Sequence, residues 1–341
     1  MYPLPGVSKA GPSGVGFLLK FRQKLVGGAI CYIVGRHERI FYIDSELLGR
    51  LKQYASKWGV SFLPALICGS LENNVLIDKK LDLRQQHLIM DLILRAITNE
   101  AMKHRLPICF RYLRDGDQDL MRLLKKKGFH HTPVIPYMYM DIKWDSFDTY
   151  VKSLTRNIKK SFSRERNRNK KEGVRIEIEK DPGKYEDRLF ELINNHYLRY
   201  NGFPFFFKKE FIHKAQENIG QNCKFYISWK NEVITGVSFS LTKNKTLYKY
   251  ATAVDRKLAG NDMTFFNIGY HRAMMDAISN GIKKIDNGMG MVEMKTRRGY
   301  KTGNQYFFYK ASNKISNIAI KPWFIFLSKW YERKNAISFN K

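Results

Sequence analysis

Acidic residues are scarce in this 341-residue chain, where 31 Asp and Glu stand against 60 Lys and Arg for a formal net charge of +29. Such a field attracts polyanions: nucleic acid, an acidic carrier protein, a phosphorylated cofactor or an anionic membrane. Cysteine is also sparse. Cys31, Cys68, Cys109 and Cys223 are scattered without metal-ligand spacing, and three of them lie in apolar runs. They read as reduced core thiols of a cytoplasmic protein, and no metal is expected. No run reaches about 18 uninterrupted apolar residues, so no membrane-spanning helix is expected. A secretory signal pattern is also missing from the N-terminus. The nearest approach to a membrane segment is Ile318–Tyr331, which Lys321 and Pro322 interrupt. Its apolar centre with flanking Lys and Trp suits either packing on its own domain or a peripheral membrane contact.

Packed cores are well supplied, with hydrophobic residues at 44% and aromatics at 14%. The length favours two domains. In the first half, extended runs occur at Ala29–Gly35, Arg39–Asp44 and Phe62–Ser70. A helix over Leu83–His104 carries Leu88, Leu92, Ala96 and Ile97 at helical spacing. The strand Pro107–Leu113, the helix Asp117–Lys127 stopped by Gly128, and a closing strand Tyr137–Ile142 follow.

The second half repeats this grammar. Asp181-Pro182 opens a helix that Gly202 ends, and a second helix covers Lys208–Ile219. Cys223–Trp229, Val233–Thr242 and Thr246–Asp255 form an antiparallel meander with turns at Lys230-Asn231 and Lys243-Asn244. A long helix (Asn261–Asn280), a strand (Gly281–Asn287) and a last strand (Tyr306–Ser312) complete a mixed α/β architecture. The expected division is a first domain over 1–145, a second and catalytic domain over 146–315, and a tail over 316–341.

Two stretches carry chemistry. Past the strand Gly281–Asn287 runs a glycine-broken loop, Gly288–Tyr300, holding Glu293, Lys295, Arg297 and Arg298. Glycines there let backbone approach a ligand, and the ends of strands in open α/β sheets are where ligands bind. The other stretch is a helix between Lys152 and Lys171, with nine basic residues against Glu165 alone. Leu154, Ile158 and Phe162 give it a narrow packing edge. The rest is a solvated face or, through Arg156, Lys159, Lys160 and Arg164, a docking surface for a polyanion. His196 and His271 read as helix-face residues, and His130-His131 has no matching metal ligands.

The order of these elements resembles the GNAT acyltransferase fold, twice over. More narrowly, it is similar to the two-domain branch that includes FemAB-like peptidoglycan proteins. The resemblance rests on three passages: the basic helix Ser153–Val174, Asp286–Tyr300, and Leu123–Thr132 with Tyr137–Ile142. It implies that an amine attacks an acyl thioester of acyl-carrier protein or coenzyme A, forming an amide. Alternatively the donor is an aminoacyl-tRNA and the acceptor an amine, such as that of a peptide or cell-wall precursor. Lys295 would contact the oxyanion or a donor phosphate, Asp286 or Glu293 would act as base, and Tyr300 would protonate the leaving group. The donor would lie between Thr246–Asp255 and Lys283–Asn287, touching Tyr250, Arg256, Lys257, Gly260, Asn261 and Arg298. The turn at Arg256–Asp262 lacks the arginine-x-x-glycine-x-glycine pattern of ordinary acetyltransferases, which weakens the case for free coenzyme A. A rival of another class is a non-catalytic RNA-binding protein on the same scaffold.

Overall fold

The computed structural model describes residues 13–21, 23–34, 64–69, 75–201, 204–205 and 207–339. The expected strand Arg39–Asp44 lies outside them. The chain divides into two compact units: the described residues up to Pro136 joined by Gly303 onward, and the continuous stretch Tyr137–Thr302.

The first unit holds β1 (Ser13–Phe21), β2 (Lys24–Val34), β3 (Ala65–Cys68), β4 (Val75–Ile77), β5 (Ile108–Arg114) and β6 (His130–Pro133). Its sheet runs β1-β2-β3-β5-β14-β6, with β4 on β2 and β14 being Gln305–Lys310. The helix Leu83–Lys103 crosses over between strands and opens with a capping box, in which Asp82 accepts from the Gln85 amide at 2.8 Å and Gln85 accepts from that of Asp82. Its inward face is Ile89, Ile93 and Ile97, leaving Leu88 and Leu92 exposed. The apolar arc is wide, so its centre falls one residue from the expected stripe.

The second unit holds β7 (Tyr137–Asp141), β8 (Arg175–Glu179), β9 (Cys223–Lys230), β10 (Val233–Lys243), β11 (Thr246–Val254), β12 (Lys284–Met289) and β13 (Lys301–Gly303), in the order β13-β7-β12-β11-β10-β9-β8. The expected meander is β9-β10-β11. Its turns sit one residue on from the expected places: Asn231-Glu232 and Asn244-Lys245 all have positive φ, as two-residue hairpins with the right twist require. One core, with Tyr226, Met274 and Ile285, packs beneath the helix that follows β11; another, with Leu192, Phe225 and Val237, packs on the helices Glu186–Asn201 and Phe211–Ile219.

The domain limits differ from those expected. Tyr137–Asp141 pairs with β12 rather than closing the first unit, and Gln305–Lys310 lies between β5 and β6 rather than closing the second. Periodicity makes each a strand but does not name its partner. Nor is 316–341 a separate tail, since Phe324, Leu327 and Tyr331 of the helix Lys321–Phe339 are buried in the first unit.

Candidate active site

The parallel pair β11/β12 holds for three residue pairs, Thr246↔Lys284 to Tyr248↔Asp286, and then ends. Beyond it β11 stays with β10 and β12 stays with β7, so the sheet splays at its centre. A bulge at the same level, where Ser240 faces Lys249 and Phe239 faces Ala251, makes Tyr250 the extra residue and bends β11 away. As a result, Tyr248–Thr252 keep partial solvent access although they lie mid-sheet. Gly288 (φ +57) and Gly290 (φ +77) serve left-handed backbone past the splay rather than close approach.

Three basic side chains converge here. Lys249 projects from the splayed part of β11; its ammonium donates to the Gly269 carbonyl and lies 4.3 Å from the centre of the Tyr270 ring. Gly269 belongs to a π-helical stretch, Asn267–Arg272, a local irregularity frequent at functional sites. Burial, helped by Lys295 and Arg298, pulls the Lys249 amine well below its ordinary value, towards the neutral form. Lys295 is not on an exposed loop. The expected loop contains a helix, Val292–Arg297, which turns Lys295 inwards at 4% exposure. Its ammonium donates to the carbonyls of Asn287 at 2.6 Å and Met289 at 3.0 Å, leaving one N–H for a ligand. Burial draws it down to about 8, with Asp286 opposing.

Arg298 completes the group. Its Nη2 donates to Glu165 Oε1 at 2.5 Å, and its guanidinium lies over the rings of Phe266, Phe162 and Tyr270. The other Glu165 oxygen sits 2.7 Å from His271 Nε2, and His271 stacks on Phe162 with ring centres 4.4 Å apart. Glu165 is thus the one acid of the basic helix (Arg156–Lys171) and one of its few buried residues. A carboxylate so buried is tolerated because two cationic or hydrogen-bonding partners meet it. The Asn267 amide donates to the Glu165 carbonyl and that of Asn169 to the Asp262 carbonyl, so the helix is fastened along its inner face. Sequence reasoning took His271 for a helix-face residue and passed over Glu165, Lys249 and Asn287.

A further donor remains free beside this cluster: Arg298 Nε is buried with no hydrogen-bond partner. His271 Nδ1 is likewise unpartnered but is an acceptor while Nε2–H donates to Glu165, and the Asn287 amide faces the phenols of Tyr270 and Tyr300. Burial raises both phenols, Tyr270 to about 12 and Tyr300 well above its ordinary value, so both stay protonated. Asp286, buried on β12, accepts from the Gly288 amide at 3.0 Å.

Other expected site residues stand elsewhere. Glu293 is exposed and paired with Arg297 one helical turn on, which removes it as a buried base. Tyr250 packs against Phe239 in the other core. Lys257, Gly260 and Asn261 are exposed, and exposed Arg256 donates to the Tyr200 hydroxyl. The amides expected to meet a pyrophosphate already have partners. Asp255 Oδ1 accepts from Lys257 N at 3.0 Å and Leu258 N at 3.2 Å, and its other oxygen pairs with Arg188 at 2.8 Å. Asp262 caps the next helical segment by accepting from Thr264 N at 2.8 Å. A second anion at either helix start would meet a fixed carboxylate. Arg156, Lys160 and Arg164 are exposed and Lys159 is half-buried, so with Glu165 turned inwards the outer face carries positive charge alone. The helix starts at Arg156, because Leu154 and Thr155 are extended and part it from a shorter one, Phe147–Ser153.

Two units in one chain, the second splayed over buried basic side chains, give a tandem GNAT-like fold. The chain matches the FemAB-like profile, described as peptidoglycan biosynthesis/recognition, over residues 52–334, and it belongs to that family. Solved structures of like fold include the C-terminal domain of a putative lysylphosphatidylglycerol synthetase from Agrobacterium fabrum, at TM-score 0.55 and 11% identity over 86% of this chain and 82% of that one. FemX aligns at TM-score 0.54 and 10% identity, covering 87% of this chain and 88% of its own. A tandem GNAT protein from the clavulanic acid biosynthesis pathway aligns at TM-score 0.50 and 10% identity, covering 90% and 85%. No curated protein matches the chain in sequence.

Proposed function

We propose that the chain transfers an aminoacyl group from the ester of an aminoacyl-tRNA to an amine of a peptide or cell-wall precursor, forming an amide. The observation that carries this reading is the double capping by Asp255 and Asp262. It occupies the Lys257, Leu258 and Thr264 amides at the helix starts that a pyrophosphate-bearing thioester donor would use and sets a carboxylate at each, while the splay and its basic side chains remain. The all-positive outer face of Arg156–Lys171 suits a nucleic-acid donor.

In this reading Lys249, whose amine is drawn down towards the neutral form, takes the proton as the acceptor amine attacks the ester carbonyl. The remaining N–H of Lys295, with Arg298 Nε, receives the tetrahedral oxyanion. The departing ribose oxygen recovers a proton from Lys249 or the Tyr300 phenol, and Asp286 holds the Gly288 turn in place.

The test is incubation with charged tRNA and amine-bearing cell-wall peptides, with products read by mass. The expected product is the acceptor plus one aminoacyl residue, abolished by ribonuclease. Ribonuclease-insensitive transfer from acyl-coenzyme A or acyl-carrier protein would replace this donor, and tight RNA binding without transfer would replace the enzyme. A companion measurement concerns the helix: Lys159→Glu with Lys160→Glu should weaken tRNA binding and make the log–log salt slope shallower by roughly 2. Unaltered affinity would move the docking surface elsewhere.

A further inference from the structure

The first unit ends on a helical arm whose outer side is exposed and meets no other element among the described residues. Helices Lys314–Ala319 and Lys321–Phe339 follow one another, with Ile320 helical between them. Their inner face is accounted for, since Phe324 stacks on Tyr309 at 5.6 Å and on Phe307 at 6.3 Å. The outer face is apolar and open: Ile315 is 82% exposed, Ile318 63%, Ile325 51% and Phe326 56%. Exposed Pro322 falls in the same row, and the three–four spacing from 315 to 326 makes one stripe about 16 Å long. Trp323 stacks on Phe326 at 5.2 Å, beside the stripe. Single exposed apolar residues need no explanation, but a contiguous stripe of branched and aromatic side chains does.

The stripe's border is basic. Lys314, Lys321, Lys329 and Arg333 are exposed, and Glu332 is the only acid between residues 314 and 333. Asn317 donates to the Gly128 carbonyl and Lys310 to that of Lys127, which brings the basic turn Lys125–Lys127 alongside.

We propose that this stripe docks on an anionic lipid bilayer, with Ile315, Ile318, Ile325 and Phe326 entering the interface and the lysines meeting headgroup phosphates. An apolar face with a cationic border and an adjoining tryptophan is the composition of helices that lie in the interface plane. No helix among the described residues is long and apolar enough to cross a membrane, so the contact rests on the surface. A second copy of the chain fits less well, because apposing two such stripes would set lysine borders against each other. The inference stands apart from the choice of acyl donor.

Sedimentation of the full chain with vesicles tests it, using phosphatidylcholine alone and phosphatidylcholine mixed with phosphatidylglycerol. Binding is expected to the mixed vesicles. Ile318→Asn with Phe326→Asn should weaken it by at least about tenfold, since two exposed apolar anchors are lost. Lys159→Glu with Lys160→Glu separates this contact from general attraction by the protein's charge and should leave most of the binding intact. Circular dichroism should stay unchanged, as all four positions lie outside the cores. Failure to bind either vesicle overturns the proposal, as does unaltered binding by the Asn variant or binding lost only with the basic helix. A concentration-dependent dimer abolished by the Asn pair would overturn it in favour of self-association.

Discussion

Lys295→Met should lower turnover by at least about a hundredfold, the scale of losing one oxyanion donor. It should also destabilise the second unit by about 2–4 kcal/mol, because the Asn287 and Met289 carbonyls lose their buried donor. Single-turnover transfer rates and denaturant unfolding read the two effects separately. The stability loss leaves a folded protein, so unchanged transfer would remove Lys295 from the site. Titration adds a second check. Burial draws this amine to about 8, so it loses its charge above that pH and transfer should decline there. Lys295→Arg, cationic throughout, should carry the activity past this limb. For stability, the unfolded state holds the proton up to about 10.4, so stability should rise between about 8 and 10.4 and fall as pH returns to 8.

Glu165→Ala should be the most destabilising single change in the basic helix, at about 3–5 kcal/mol, because it strands a buried guanidinium. Lys170→Ala, exposed on the same helix, should change stability by less than about 0.5 kcal/mol. Glu165→Gln keeps one acceptor oxygen for Arg298 and should lie between them. If Glu165→Ala and Lys170→Ala unfold at equal denaturant, the Glu165–Arg298–His271 cluster does not hold the helix. Burial lowers His271 although Glu165 opposes it, so the folded chain refuses a proton that the unfolded chain accepts. Stability should therefore fall as pH drops below about 6.5, and His271→Gln should flatten that decline.

The meander, its hairpins and the alternation of helices with strands were readable because their periods are local. The partners of β7 and β14 were not, since each reads as an ordinary strand wherever it pairs. The helix Val292–Arg297 was hidden because its entry depends on Met291 at φ +51, a conformation that residue does not advertise. Lys295 was singled out as part of a loop; only that helix turns it inwards. Glu165 was lost in a dense run of bases, although a lone acid there is itself a sign of inward pairing. Lys249 carried a comparable signal, a lysine amid the apolar and aromatic residues of a central strand, which is costly unless something holds it.

The placement of β14 has a consequence for biosynthesis. Because Tyr137–Thr302 interrupts the first unit, a chain leaving the ribosome completes the later module before the earlier one. Until Gln305–Lys310 emerges, β5 and β6 flank a vacant lane, so nascent chains stalled near residue 300 should need chaperone protection despite a finished second unit.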